Sequence, residues 1–311
     1  MIRHVDTPSS LVAAAARLAS AQVVALDTEF HTERRYRPEL MLLQLRADDD
    51  EPVLVDPRPK GPGTLPLGAL AAALSTVPVL VHGGQTDAVL VRDAIGVAPN
   101  IVFDTQIAAA CVGQPYPARL QDLVARYLAF DMDKTWTLSD WSRRPISALQ
   151  ARYAADDVVV LGRLRASIEA ELDRRGTRPV AQAATEEMLA GALAEETDDD
   201  SWRSVNGAHV LDGEEAAALQ ELAAWRQGEA RARDIPRHSV LSDGMLLDLA
   251  RRRPVDDETL RANRRLPSSV VKREGAALLA AVRRAAGRTI TPLRPWPRAW
   301  GDLVRAAGRV R

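Results

Sequence analysis

Three strand-like apolar runs, residues 22–29, 40–46 and 52–56, follow one another with short connections and set the strongest limit on the fold. Strands joined this closely pair antiparallel, because a parallel return needs a crossover of about a dozen residues or more. Two later runs, "VPVLVHG" (77–83) and "NIVFDT" (100–105), are each preceded by a helical pattern, "PLGALAAALS" and "QTDAVLVRDAIG". Helices between strands favour parallel additions to a sheet. The expected fold class is therefore α/β, a mixed sheet that opens with an antiparallel meander and carries flanking helices. "TPSSLVAAAARLAS" supplies one helix, with Thr7 or Ser9 as cap and Pro8 in its first turn. Gly96 is a natural stop for the helix over 85–96, and Asp104 a natural cap for "TQIAAACV". From Ala118 to about Arg175 the pattern predicts helix throughout.

Beyond this α/β segment of 1–176 the periodicity weakens, and 177–208, with one helical stretch and an acidic run, is expected to be a connection. "LDGEEAAALQELAAWRQGEARARD" restarts a strong helix, with Asp212 and Glu215 at capping-box spacing. "SDGMLLDLARRRP", "DDETLRAN" and "SSVVKREGAALLAAVRRAAG" complete an all-α segment over 209–290. A tail over 291–311, with three prolines and two tryptophans, is expected to pack against it.

Charge divides along the same line. Residues 1–201 hold 20 Lys and Arg against 29 Asp and Glu, a balance of −9, whereas 202–311 hold 21 against 13, a balance of +8. An acidic module that handles nucleic acid needs cations in its site, and a basic one can hold a phosphate backbone directly. The single cysteine, Cys111, excludes an internal disulfide framework and a Cys-based zinc site. Arg3, His4 and Asp6 interrupt the place where a signal peptide would be apolar, and no run approaches a membrane span. The expectation is a cytoplasmic protein with no membrane partner.

"VVALDTEF" (23–30) raises the chemical question. Val23 to Leu26 look like a buried strand, yet Asp27 and Glu29 follow, two residues apart and so on one face. Adjacent carboxylates in a poorly solvated place repel each other and are costly to ionise. For an isolated pair of this kind, solvent exposure at a strand end is the simpler account. Two further stretches change the balance. "HGGQTDAVL" puts Asp87 in the first turn of a helix after a strand ending at His82, where the dipole favours an acid in any case. "RYAADDVVVL" puts Tyr153 and Asp157 four apart on one helical face, with Asp156 about 100° away. Four carboxylates and a phenol are hard oxygen donors suited to Mg²⁺ or Mn²⁺. Two such ions about 3.5–4 Å apart are the usual apparatus for in-line attack on a phosphodiester.

With these motifs in view, residues 1–175 resemble ribonuclease D and the wider DEDDy branch of 3′–5′ exonucleases. The resemblance rests on "ALDTEF", on "HGGQTDAVL" with "FDTQIAA" behind it, on "RYAADDVVVL", and on the run over 133–158. "ELAAWRQGEARARDIPRHSVLSDGMLLDLARRRP" resembles the helicase-and-RNase-D C-terminal (HRDC) domain. The resemblance implies a ribonuclease-H-like fold followed by a small helical domain. It implies a hydrolase that removes nucleoside 5′-monophosphates from RNA 3′ ends, structured RNA such as tRNA precursors included, with two divalent ions, Mg²⁺ or Mn²⁺. Asp27 would bridge both ions, Glu29 and Asp157 would complete the first site, Asp87 would hold the second, and Tyr153 would orient the attacking water. Gln44 and His82 are expected to line the nucleotide pocket, and Asp104 and Lys134 to be structural.

Two features depart from the pattern. The chain after about residue 290 is too short for the second helical domain that ribonuclease D can carry, and "RANRRLPSSVVKR" lacks a Gly-rich hairpin common in HRDC domains. Its five basic residues, Arg261 to Arg273, either contact phosphate in place of backbone amides or form a solvated face. The same acidic set also serves exonucleases acting on DNA, and a catalytically silent nucleic-acid-binding protein is a third reading. Against the last, a silent relative has no use for four mutually repelling acids.

Overall fold

The structure is a computed structural model of the chain and describes residues 1–59, 65–132, 139–194 and 197–293. These form two units, Met1–His31 with Pro38–Ala194, and Thr32–Arg37 with residues 197–293. The first unit begins β1 (Arg3–Val5), α1 (Pro8–Ala19), β2 (Val24–His31), β3 (Glu39–Ala47) and β4 (Val53–Val55). A 3₁₀ turn at Leu67–Leu70 leads into α2 (Ala71–Thr76), then β5 (Val79–Val81), α3 (Gln85–Ile95), β6 (Ile101–Asp104) and α4 (Thr105–Cys111). Four more helices follow: α5 (Leu120–Leu128), α6 (Ala148–Val159), α7 (Leu161–Arg175) and α8 (Arg178–Leu193).

The six strands form one sheet in the order β1-β4-β3-β2-β5-β6. β2, β3 and β4 pair antiparallel, and β5 and β6 add in parallel beside β2. This is the mixed sheet that the connection lengths predict. β1 has only three residues, too few for a periodic signal, and pairs in parallel with β4. Leu26, Leu43 and Leu45 bury one face in a core shared with Leu11 and Leu18 of α1 and Val91 of α3. On the other face Ala25 meets Val158 and Leu161, at the junction of α6 and α7. β2 is therefore covered on both sides, and its alternation sends Asp27 and Glu29 towards α6.

Two expectations are corrected. The stretch from Ala118 to Arg175 is not continuous helix: α5 ends at Leu128, followed by Ala129 in a left-handed conformation, and α6 begins only at Ala148. Pro145 disfavours helix at Arg144. Arg144 instead pairs with Asp56 at 2.6 Å and donates to the carbonyls of Met41 and Trp141, which fastens 139–147 to the sheet. Lys134, expected to be structural, lies outside the described residues. The supposed connection over 177–208 is divided between the units. α8 packs on α3, α4 and β6 through Ala181, Ala184, Leu189 and Leu193. The 3₁₀ turn at Asp198–Ser204 buries Trp202 in the second core.

The second unit is helical: α9 (Gly213–Arg233), α10 (Arg237–Val240), α11 (Asp243–Arg252), α12 (Asp257–Arg261) and α13 (Ser268–Ala285). Asp212 and Glu215 form the capping box expected at the start of α9. Leu219, Leu222, Leu246, Leu249, Leu260 and Leu278 build its core, and Ile290 and Leu293 pack against it. The rest of the tail lies outside the described residues. No described helix is long and apolar enough to cross a membrane.

Candidate active site

Asp27 and Glu29 leave β2 on one face, and Asp157 comes down to them from α6. One carboxylate oxygen from each lies within 4.8 Å of the others. Small residues make this approach possible, since the buried apolar residues of α6 are Ala151, Ala154, Ala155 and Val158. The helix starts at a capping box of Ser147 and Gln150, which fixes its first turn. Asp156 turns away from the cluster, 4.0 Å from Arg152 on the outer side of the helix. Tyr153, one turn before Asp157, stacks obliquely on buried Trp141, ring centroids 6.1 Å apart.

Asp87 enters from the other side of β2. It sits buried in the first turn of α3, and Thr28, between the two strand acids, donates its hydroxyl to Asp87 Oδ1 at 2.5 Å. The turn before α3 is held from β6. Buried Asp104 accepts from the N–H groups of Gly83 and Gly84, both at 2.9 Å, while also capping α4 through Gln106 and Ile107. One carboxylate thus joins two helix starts. Gly83 has φ +66°, and a Cβ on Gly84 would lie 2.4 Å from the Val81 side chain, so the turn admits no larger residue. Thr28 and this second grip of Asp104 were not anticipated. Alternation along β2, which sends Thr28 to the α3 face, was the available signal.

Burial raises every acid in the group, and repulsion from its other members adds to this at Asp27 and Glu29. Burial, then Asp157, Asp87 and Glu29, push Asp27 well above the usual carboxylate range. Glu29 is raised to about 8 by burial, Asp157 and Asp87. Asp157 is raised to about 7 by burial and Asp156, and Asp87 to about 6 by burial, against the Thr28 hydrogen bond that lowers it. A cluster this reluctant to ionise is suited to hold a cation that neutralises it, and its all-oxygen donors match Mg²⁺ or Mn²⁺.

The two residues expected to line a nucleotide pocket are engaged or enclosed within the fold. His82 has its ring nitrogens 2.9 Å from the Thr105 hydroxyl and 3.1 Å from the Ala118 carbonyl, so neither remains for a base or phosphate. Gln44 is 0% exposed and offers no surface to a ligand. It lies directly across from Asp27 in the β2–β3 ladder, and neither atom of its amide has a hydrogen-bond partner among the described residues. Leaving such a group unpaired costs about 1–3 kcal/mol.

A family model for 3′–5′ exonucleases matches residues 2–173, and one for the HRDC domain matches residues 215–282. Ribonuclease D of Nitrobacter hamburgensis is 34% identical over 285 residues, which cover 91% of this chain and 74% of that protein. Among solved structures, Escherichia coli RNase D aligns with a TM-score of 0.78 at 28% identity, over 98% of this chain and 82% of that one. The catalytic core of RRP6 from Trypanosoma brucei shares the fold at 22% identity, with a TM-score of 0.63 over 92% of this chain and 80% of that one. The chain belongs to the ribonuclease D family, 3′–5′ exoribonucleases with a helical HRDC domain following the nuclease fold.

Proposed function

We propose that this chain trims the 3′ ends of structured RNA in the cytoplasm, tRNA precursors among them, using two divalent ions, Mg²⁺ or Mn²⁺. The observation that carries the reading is the meeting of Asp27, Glu29 and Asp157 within 4.8 Å, from elements more than a hundred residues apart. Asp27, Glu29 and Asp157 would hold one ion, and Asp87 with Asp27 the other. When bound, such ions supply Lewis acidity at the scissile phosphate and its leaving oxygen. Tyr153, braced by Trp141, would orient the attacking water with its hydroxyl. The description of E. coli RNase D as an exoribonuclease involved in structured RNA processing supports the substrate class.

Labelled RNA and DNA oligonucleotides, incubated with the protein in Mg²⁺, Mn²⁺ or chelator, test this directly. Stepwise loss from a 3′-hydroxyl end of RNA, abolished by chelator, is expected. Asp27→Asn and Asp157→Asn should remove activity while leaving the metal-free melting temperature unchanged or slightly higher, since repulsion is relieved. Cleavage that persists in chelator, or a steep loss of metal-free stability in both variants with activity retained, would overturn the reading.

A further inference from the structure

We infer that Gln44 is a positioning residue for the cation site, its side-chain amide, unpaired among the described residues, becoming a donor that fixes the Asp27 carboxylate when a cation is held. The inference rests on the metal-dependent reading above. Partners in a β ladder project to the same face. Gln44 pairs with Asp27 on β2 and with Leu54 on β4, so these two flank it on the face beneath α6. Along its own strand the same-face neighbours are Leu42 and Arg46. Leu42 and Leu54 are apolar and packed against Ala151 and Ala154. Arg46 is directed to the carbonyls of Asp50 and Val159. Of these four neighbours only Asp27 can accept from the amide.

Asp27 has the capacity to do so. No side chain among the described residues donates to the Asp27 carboxylate, which leaves lone pairs for a side-chain donor. A fully buried amide with both atoms unpaired calls for an explanation in function or in a bound ion. Groups standing behind metal ligands orient them, and their loss typically costs about 10–100-fold in metal affinity. A buried amide kept only for packing would have no such effect, and an apolar residue of the same length would serve better.

Two readouts on full-length protein test this, with Mn²⁺ as the probe: the binding isotherm by calorimetry and the metal-free melting temperature. Gln44→Met keeps length and volume while removing the amide. It should bind Mn²⁺ about 10–100-fold more weakly, with a metal-free melting temperature equal to or above that of the unaltered protein. An unchanged isotherm would overturn the inference. So would a marked fall in metal-free stability or failure to fold, either of which would show that the amide is already paired within the fold. Absence of Mn²⁺ binding by the unaltered protein would instead overturn the metal-dependent reading itself, so the two failures are distinct.

Discussion

The Thr28 hydroxyl donates to Asp87 across 2.5 Å, tying the helix that brings Asp87 to the strand that carries Asp27 and Glu29. A hydrogen bond to the charged form of a carboxylate favours that form and fixes its direction. Thr28 is buried, so Thr28→Val keeps the shape and removes only the donor. Asp87, already raised to about 6, should rise further. At neutral pH the variant should bind Mn²⁺ about 10-fold more weakly, and raising the pH should recover part of the loss. Calorimetric titrations at pH 6.5 and 8 would check this, and equal isotherms at both pH values would refute it.

Stability without metal should fall as pH rises. A carboxylate whose folded pKa is raised binds its proton more tightly in the fold than in the unfolded chain. Its contribution is fully present below the unfolded value, about 4, and is lost as pH rises through the folded value. For Asp87, Asp157 and Glu29 the window runs from about 4 to about 8. Other carboxylates act oppositely at acid pH; Asp140, held at about 2 first by its Ser142 hydrogen bonds, is one. A difference between proteins isolates the cluster. Glu29→Gln should melt with the unaltered protein near pH 4 and progressively above it towards pH 8 in chelator. In Mg²⁺ the order should reverse. A constant difference across the pH range would show that Glu29 is not raised.

Much of this arrangement was legible in the chain, for physical reasons that differ by element. β2, β3 and β4 announced an antiparallel meander because short connections leave no other pairing. Asp157 rather than Asp156 was identifiable because one helical step of 100° separates cluster from solvent. The enclosure of Gln44 and the engaged ring of His82 were not legible, because neither burial nor a committed ring nitrogen leaves a mark on local sequence. The connection over 177–208 was misjudged because Trp202 and the apolar face of α8 acquire partners only through distant parts of the chain. Alternating small and polar residues around Pro145 resembled helix, yet Arg144 finds its partners on Asp56 and Met41 instead.

Tyr153 and Asp156 should rank below the clustered acids. Tyr153→Phe removes a hydroxyl that would orient water and leaves the carboxylates intact, so turnover should fall by no more than about 10²–10⁴-fold. Its Mn²⁺ isotherm should be unchanged. Asp156→Asn loses a pairing with largely exposed Arg152, worth at most about 1 kcal/mol in such a setting. It should keep most activity, whereas Asp157→Asn should not. Greater damage from Asp156→Asn would place the wrong member of the pair in the cluster.

The helical unit should contribute hold on RNA rather than chemistry. Its segment carries an excess of eight positive charges from residue 202 onward, but many arginines are neutralised locally. Arg252 pairs with Asp248, Arg261 with Asp257, Arg273 with Glu274, and Arg284 and Arg288 with Glu221. Exposed Arg251, Arg264 and Lys272 enter no ion pair among the described residues, and the last two flank the start of α13. Because Asp198–Ser204 belongs to the helical unit, a clean separation falls just after Ala194 rather than at Ser201. A chain ending at Ala194 should retain turnover on a short oligonucleotide at saturation and show a raised KM on longer or folded RNA. For every phosphate that the shortened chain no longer neutralises, the slope of log affinity against log salt should flatten by about 0.7 on a single strand. Arg264→Glu with Lys272→Glu in the full chain should reproduce part of that flattening without altering turnover on the short substrate. Filter binding across a salt series would measure both, and equal slopes in all three proteins would mean that the helical unit does not hold RNA.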